Sequence, residues 1–253
     1  MKRLTTYLKD NKSSLISLNE KLVVNKNYKY CAPISWDELR EIIENRYNKL
    51  GPGTEQKPID FNDIDVSNID SFYNGLKGLF QETQFEYIDI SDWDVSNVDD
   101  TRFMFYECEK LKSIGDLSDW DVSNVEYMNR MFYDCDKLES VGDLSDWKVS
   151  KVKNIHGMFE RCKKLKSVGD LSNWDVSKVE YMDSMFYGCN NLKSVGDLSD
   201  WDVSKVKNMS DMFCYCALKS VGDLSNWDVS NVKYMDEMFK DSGITNKPDW
   251  YKE

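Results

Sequence analysis

A 27-residue repeat dominates the sequence and constrains the fold more than any other feature. A tryptophan recurs every 27 residues, with a final interval of 26, and a cysteine recurs with the same period. A unit this short cannot bury its own apolar face, whereas stacked units bury a continuous core. The sequence therefore predicts a solenoid of about six units. The tryptophans are Trp93, Trp120, Trp147, Trp174, Trp201 and Trp227, and the cysteines are Cys108, Cys135, Cys162, Cys189 and Cys216.

Each unit divides into two halves with different apolar spacing. In the second unit, the apolar residues between Val125 and Leu138 recur at intervals that fall on one face of an α-helix. Ser123 and Glu126 stand where a capping box would precede such a helix. The other half is a short apolar segment with a fixed glycine, Gly142 in this unit, which favours a brief strand and a bend. The sequence thus predicts an α/β, leucine-rich-repeat-like solenoid with one short strand and one helix per unit.

The regions on either side of the repeats differ from them in kind. A capping box at Ser35-Trp36-Asp37-Glu38 predicts a helix that ends at Gly51 and covers the first coil. Residues 1–30 are rich in lysine and asparagine, and we expect them to form a peripheral arm. The predicted domains are the arm at 1–30, a helical cap at 31–59, the repeat solenoid at 60–246 and a C-terminal tail at 247–253.

Charge and composition argue against several classes of function. The formal net charge of −12 opposes binding to the phosphate backbone of nucleic acid and to an anionic membrane surface. No apolar run reaches the roughly 18 residues that a membrane-spanning helix needs. The opening Met1-Lys2-Arg3 is followed by no apolar signal-peptide segment, so we expect a cytoplasmic or virion-associated protein. Seven cysteines without a signal favour reduced thiols over disulfides.

The repeat also carries a recognisable motif. Trp120-Asp121-Val122-Ser123-Asn124-Val125 leads to Met131-Phe132 and then Cys135, and this pattern recurs over roughly residues 60–246. The motif resembles the BspA-like bacterial surface repeats, the DUF285 group of leucine-rich-repeat-like proteins. The resemblance implies a solenoid used in adhesion or protein binding. Family members are often secreted or lipid-anchored, and relatives also occur in bacteriophage genomes, so the resemblance also admits a virion component.

The most regular polar feature is a row of aspartates, each directly after the repeat glycine. Aligned carboxylates repel one another unless a cation or hydrogen bonds offset the repulsion. Either the row binds calcium, which takes several oxygen ligands, or each aspartate accepts backbone hydrogen bonds within its own turn. We favour the second interpretation and retain the row as a candidate partner-binding surface. The aspartates are Asp116, Asp143, Asp170, Asp197 and Asp223.

Three tyrosines, Tyr106, Tyr133 and Tyr187, directly follow the Met-Phe pair or its equivalent in their units. On a continued helix these side chains would point away from the core and could anchor a protein partner. If the helix ends at the phenylalanine, they would instead pack on the neighbouring coil. The sequence leaves both interpretations open.

No residue pattern in the sequence indicates catalysis or a metal site. The repeated cysteines occupy one position per unit, which is typical of core packing rather than of clustered metal ligands. His156, the single histidine, lies at a variable position without a nucleophile partner, and we interpret it as solvent-exposed. We therefore expect no enzyme, no cofactor and no metal.

The leading hypothesis is a non-catalytic solenoid that binds a protein partner or a host surface component. The second is a structural subunit of a larger assembly, such as a bacteriophage particle, docked by its N-terminal arm.

Overall fold

The computed structural model describes residues 32–33, 35–75 and 77–252, so the expected arm at 1–30 and Cys31 lie outside the described residues. Apart from the elements named below, the described chain runs as successive turns with isolated parallel bridges between coils. No helix in the described ranges is both long and apolar enough to cross a bilayer. The elements are helix α1 (Trp36–Leu50), the parallel strands β1 (Ile59–Asp60) and β2 (Ile88–Asp89), and 3₁₀ turns at Leu171–Asn173 and Leu224–Asn226.

Helix α1 begins and ends where the sequence predicted. The Ser35 side chain accepts a hydrogen bond from the N–H of Glu38 at 3.2 Å, which satisfies a free donor of the first turn. At the other end, Gly51 adopts a φ of 77° and its N–H donates to the carbonyl oxygen of Tyr47. The apolar side of α1 belongs to the same buried cluster as the first coils, and Trp36 Nε1 donates to the Phe72 carbonyl oxygen. The helix therefore packs on one end of the stack of coils.

Backbone hydrogen bonds join each coil of the repeat region to the next. A continuous row of single-residue parallel bridges links Ser71 to Tyr234 through equivalent positions of successive coils. Beside this row, the Phe132 N–H donates to the Met158 carbonyl oxygen at 2.9 Å, and the equivalent bond recurs from coil to coil. Successive coils thus satisfy each other's backbone groups, as a solenoid requires.

Equivalent apolar side chains stack in columns through the molecule. Adjacent phenylalanine rings from Phe80 to Phe239 have centroids 5.1–6.0 Å apart and interplanar angles of 19° or less. The repeat tryptophans are buried beside them, and Trp147 Nε1, for example, donates to the Leu117 carbonyl oxygen of the preceding coil at 2.9 Å. Aromatic pairs of this kind add about 0.5–1.5 kcal/mol beyond the burial of their area. The predicted stacking of equivalent side chains is confirmed.

The C-terminal residues extend the tryptophan column. Trp250 stacks on Trp227 with centroids 6.3 Å apart, and its Nε1 donates to the Leu224 carbonyl oxygen at 2.8 Å. Tyr251 meets Phe239 edge to face at 5.0 Å. The residues assigned to a tail from the sequence therefore pack on the last coil.

The helix predicted within each unit is wrong. Residues 125–138 form turns, and α1 is the one α-helix among the described residues. Two residues within this segment of each unit have a left-handed backbone, Arg130 with φ 55° and Asp134 with φ 56° in the second unit, and such residues interrupt a right-handed helix. The N–H groups that a helix would bond internally donate to the next coil instead, as Arg130 N–H does to His156 O at 2.8 Å. Hydrogen bonding between coils therefore overrides the helical spacing.

The expected capping boxes and strands of the units are also replaced by turns. The Ser123 N–H donates to Asp121 Oδ1 at 3.1 Å, so this serine is no helix N-cap. Glu126, the other expected member of the box, pairs with Lys153 of the next coil at 2.5 Å. Among the described residues, the short strand is present only as β1 and β2 at the start, whereas later coils are joined there by single backbone hydrogen bonds. The predicted α/β repeat is thus a stack of hydrogen-bonded turns.

Candidate binding surface

The aspartates of the predicted row close the turns of their own coils. Asp143 Oδ1 accepts hydrogen bonds from both the N–H of Ser145, at 3.0 Å, and its hydroxyl. These two bonds lower the pKa of Asp143, and the bond from the serine hydroxyl has the larger effect. The equivalent bonds from Ser199 lower the pKa of Asp197 in the same way. The hydrogen-bonding interpretation of the row is therefore confirmed, while its part in partner binding stays a prediction. Equivalent bonds from the serine N–H are made to Asp116, Asp170, Asp197 and Asp223.

Four of the five aspartates, Asp116, Asp143, Asp170 and Asp197, also lie against the glycine of the next coil. Gly169 has a φ of 84°, and a β-carbon there would lie 1.9 Å from Asp143 Oδ1 and 2.8 Å from Ser145 Oγ. A side chain at this glycine would therefore meet both the strain of a left-handed backbone and a collision. Because each carboxylate has hydrogen-bond partners within its turn, the repulsion along the row is offset without a cation.

The three predicted tyrosines are half-buried and pack on neighbouring residues of the coils. Tyr106 and Tyr133 stack with centroids 4.7 Å apart and planes at 9°, and burial raises the pKa of Tyr106 to about 12. Tyr187 meets Tyr215 edge to face at 5.7 Å. In the coil between those of Tyr133 and Tyr187, the equivalent position is occupied by Glu160. The three tyrosines therefore do not form one aromatic patch. This packing favours the second interpretation, and a binding role for these tyrosines stays a prediction.

Two tyrosines that the sequence analysis passed over are more exposed. Tyr181 and Tyr234 lie in the row of parallel bridges, with 40% and 59% of their surface exposed. Lys207 Nζ lies 5.8 Å from the centroid of the Tyr181 ring, a cation–π contact that orients the ring. Tyrosine occupies this position in every second unit, beginning with Tyr127, and asparagine occupies it in the units between. This alternation is the feature of the sequence from which the exposed tyrosines could have been predicted.

His156 is not the solvent-exposed residue that the sequence indicated. Its side chain is 24% exposed, and Nδ1 lies 2.7 Å from Asp183 Oδ2 in the next coil. Burial raises the pKa of the neighbouring Glu160, against the opposing effect of the nearby His156 and Arg130. The histidine is therefore part of a half-buried polar cluster between coils, and its predicted exposure is wrong.

The repeated cysteines form a buried column of free thiols. Cys135 Sγ donates to the Phe105 carbonyl oxygen at 3.1 Å, and the equivalent bond recurs along the column. Burial raises the pKa of Cys135, Cys162 and Cys189 well above the ordinary value for a thiol. The thiols are therefore neutral and unreactive in the folded state, in agreement with the predicted packing role. All six cysteines in the described ranges are free.

One group of side chains in the described ranges brings metal-ligand atoms close together. The ligand atoms of Asp211, Cys214 and Glu237 all lie within 4.8 Å of one another. Burial raises the pKa of Cys214 to about 12, and the nearby Asp211 adds to that effect. Glu237 is also paired with Lys240 at 2.7 Å. The group is therefore a poor candidate for a metal centre.

The stacked coils and their surface rows define a repeat protein of the solenoid type. The sequence model of the family described as "Mycoplasma protein of unknown function, DUF285" matches residues 74–193 and 163–250. The chain belongs to this family, which confirms the resemblance carried by the tryptophan motif.

Among solved structures, the chain is similar to a leucine-rich repeat protein from Eubacterium ventriosum ATCC 27560, with a TM-score of 0.39 and 18% sequence identity. The similarity covers 62% of the present chain and 44% of the other, so the chain spans less than half of that protein's length. No curated protein matches the sequence.

Proposed function

We propose that this chain is a non-catalytic protein-binding module whose recognition surface is formed by the variable positions of successive coils. The observation that carries the proposal is the division between repeated buried columns and a row, half-buried except at Asp236, that changes from coil to coil. The Phe and Cys columns keep one residue type over several units, whereas the row two residues after the bridges changes in every unit. That row consists of Arg102, Asn129, His156, Asp183, Ser210 and Asp236.

The exposed tyrosines of the bridge row supply anchors for such a surface. Tyrosine gives a large contact area with few rotatable bonds, and it is enriched among residues that dominate binding energy. Tyr181 and Tyr234 are the most exposed of the described aromatic residues on this row. The half-buried Tyr106, Tyr133 and Tyr187, together with the exposed aspartate row, are proposed as secondary contacts.

Adhesion to a host surface component is the form of this function that the family resemblance supports. The alternative is a subunit of a larger assembly such as a bacteriophage particle, docked by residues 1–30. The two differ in what the arm does: removal of 1–30 should leave partner binding intact in an adhesion module but abolish incorporation in an assembly subunit. A cytoplasmic or virion-associated location likewise stays a proposal.

The partner is first identified by cross-linking to the full chain in its native host, and it is then purified on its own. The test measures the affinity of this purified partner for variants of the chain. A variant with Tyr127→Ser, Tyr181→Ser and Tyr234→Ser should bind the partner about a hundredfold more weakly, because three lost anchors at about 1 kcal/mol each remove about 3 kcal/mol of binding energy. The matched control changes Lys148, Lys178 and Lys205 to Gln, all exposed outside this row. Equal affinity of the tyrosine variant and the wild type would refute the proposed surface.

A further inference from the structure

A groove lined by lysines lies on the surface of a chain whose net charge is −12. The groove has a volume of about 620 Å³, and its lining carries five lysines against a single glutamate, Glu139. None of the exposed tyrosines of the bridge row lines the groove, so this site does not depend on the surface proposed above. The lysines are Lys112, Lys137, Lys164, Lys166 and Lys193.

Three of these ammonium groups are available to a ligand. Lys137, Lys164 and Lys193 are exposed, and none of them forms an ion pair or side-chain hydrogen bond within the described ranges. Lys112 pairs with Glu86 at 2.6 Å and Lys166 pairs with Glu139. The three unpaired ammonium groups, beside two that are already paired, leave an excess of positive charge in the groove, and like charges in proximity are unfavourable. An anionic ligand in the groove would offset this repulsion.

We propose that this groove binds an acidic segment of a partner polypeptide in an extended conformation. The lining comes from four successive coils, and bridged coils are spaced about 4.8 Å apart, so the lysines span about 14 Å along the stack. Four or five residues of an extended chain cover the same distance at about 3.3 Å each. Lysine side chains are long and flexible enough to reach carboxylates that do not share the coil spacing.

The lining favours carboxylates over nucleic acid. It contains no aromatic ring on which a base could stack and no arginine to form a bidentate contact with a phosphate. The acidic row also runs close to the groove along the chain, since Asp116 follows Lys112 by four residues and Asp143 follows Glu139 by four residues. A long polyanion would be repelled where it left the groove, whereas a short acidic segment ends within it.

The experiment measures binding of a fluorescent hexaglutamate peptide to the full chain by anisotropy, at low and at physiological ionic strength. The groove variant carries Lys137→Gln, Lys164→Gln and Lys193→Gln. The control variant carries Lys148→Gln, Lys178→Gln and Lys205→Gln, which removes the same charge from exposed lysines outside the groove. We expect the groove variant to bind about tenfold more weakly and the control variant less than about twofold more weakly, with binding reduced by salt. Both variants should keep the melting temperature of the wild type.

Three results would overturn the proposal. Equal weakening in both variants would mean that the peptide responds to the overall charge and not to the groove. Tighter groove-dependent binding of a single-stranded oligonucleotide of equal charge would assign the site to nucleic acid. Concentration-dependent self-association of the wild type in sedimentation, lost in the groove variant, would make a second copy of this chain the occupant.

Discussion

Substitution of Gly169 by alanine tests whether glycine and aspartate of adjacent coils form one structural unit. The new β-carbon would lie 1.9 Å from Asp143 Oδ1, so the carboxylate must rotate away and give up both hydrogen bonds from Ser145. Those two bonds are worth about 1 kcal/mol each, and an alanine with φ near 84° adds about 1 kcal/mol of backbone strain. Gly169→Ala should therefore lower the free energy of unfolding by about 3 kcal/mol.

A double-mutant cycle in urea, followed by tryptophan fluorescence, separates the collision from the strain. Asp143→Ala alone loses the same two bonds and should cost about 1.5–2 kcal/mol, since water replaces part of them. In the double variant the bonds are lost only once, so the cost should fall short of the sum by about 1.5–2 kcal/mol.

Gly51→Ala is the matched control, because Gly51 has a φ of 77° but a β-carbon added there would have no atom within 4 Å. It should show strain without collision; because Gly51 also has a ψ of −156°, in a region essentially restricted to glycine, that strain should be about 1–3 kcal/mol and no coupling to a neighbouring side chain should be found. Additive costs at Gly169 and Asp143 would refute the proposed coupling between coils.

Three further outcomes follow from the core and the surface rows. Phe159→Ala, in the middle of the phenylalanine column, should destabilise the fold by about 3–5 kcal/mol in urea denaturation, because the ring is fully buried. The pKa values of Asp143 and Asp197 are lowered in the folded state, so their stabilisation is complete above the ordinary value of 3.8 and is lost as pH falls through the lowered values. A variant with Asp143→Asn and Asp197→Asn should therefore lose less stability than the wild type as the pH falls from about 5 to about 2. The measurement is an acid titration followed by circular dichroism. Cys135 and Cys162 should resist a thiol reagent at pH 8 (about half a unit below the ordinary thiol value) in the native protein and react at once in denaturant, and rapid native reaction would contradict their burial.

The period of the sequence identified the columns and the capping box identified α1, but neither revealed how the chain turns within a unit. Val125, Met128 and Met131 are three residues apart, and so are Phe132, Cys135 and Leu138. Successive turns with i to i+3 hydrogen bonds produce this spacing, and it also falls on one face of an α-helix. Apolar periodicity alone therefore could not separate the two structures.

The deciding residues are the two left-handed positions within the segment of each unit that the sequence predicted to be a helix. In the second unit they are Arg130 and Asp134, which give no sequence indication of such a backbone. The equivalent positions elsewhere are Gly157 and Gly188, with φ values of 58° and 71°, and these glycines were the available signal. The lysine groove could also have been found from the sequence: its lysines occupy two repeat positions, Lys137 and Lys164 at one and Lys112, Lys166 and Lys193 at the other, each spaced by 27 residues or a multiple of 27.

Cross-linking between coils tests the stacking most directly. Tyr127 and Asn154 are partners in a parallel bridge, so cysteines introduced at these two positions should form a disulfide under mild oxidation. Cysteines at Tyr127 and Tyr181, two coils apart and separated by about 9.6 Å, exceed the reach of a disulfide. Peptide mapping by mass spectrometry should find the first bridge and not the second. Formation of the second bridge, or failure of the first, would contradict the stack of coils on which every other statement about this molecule depends.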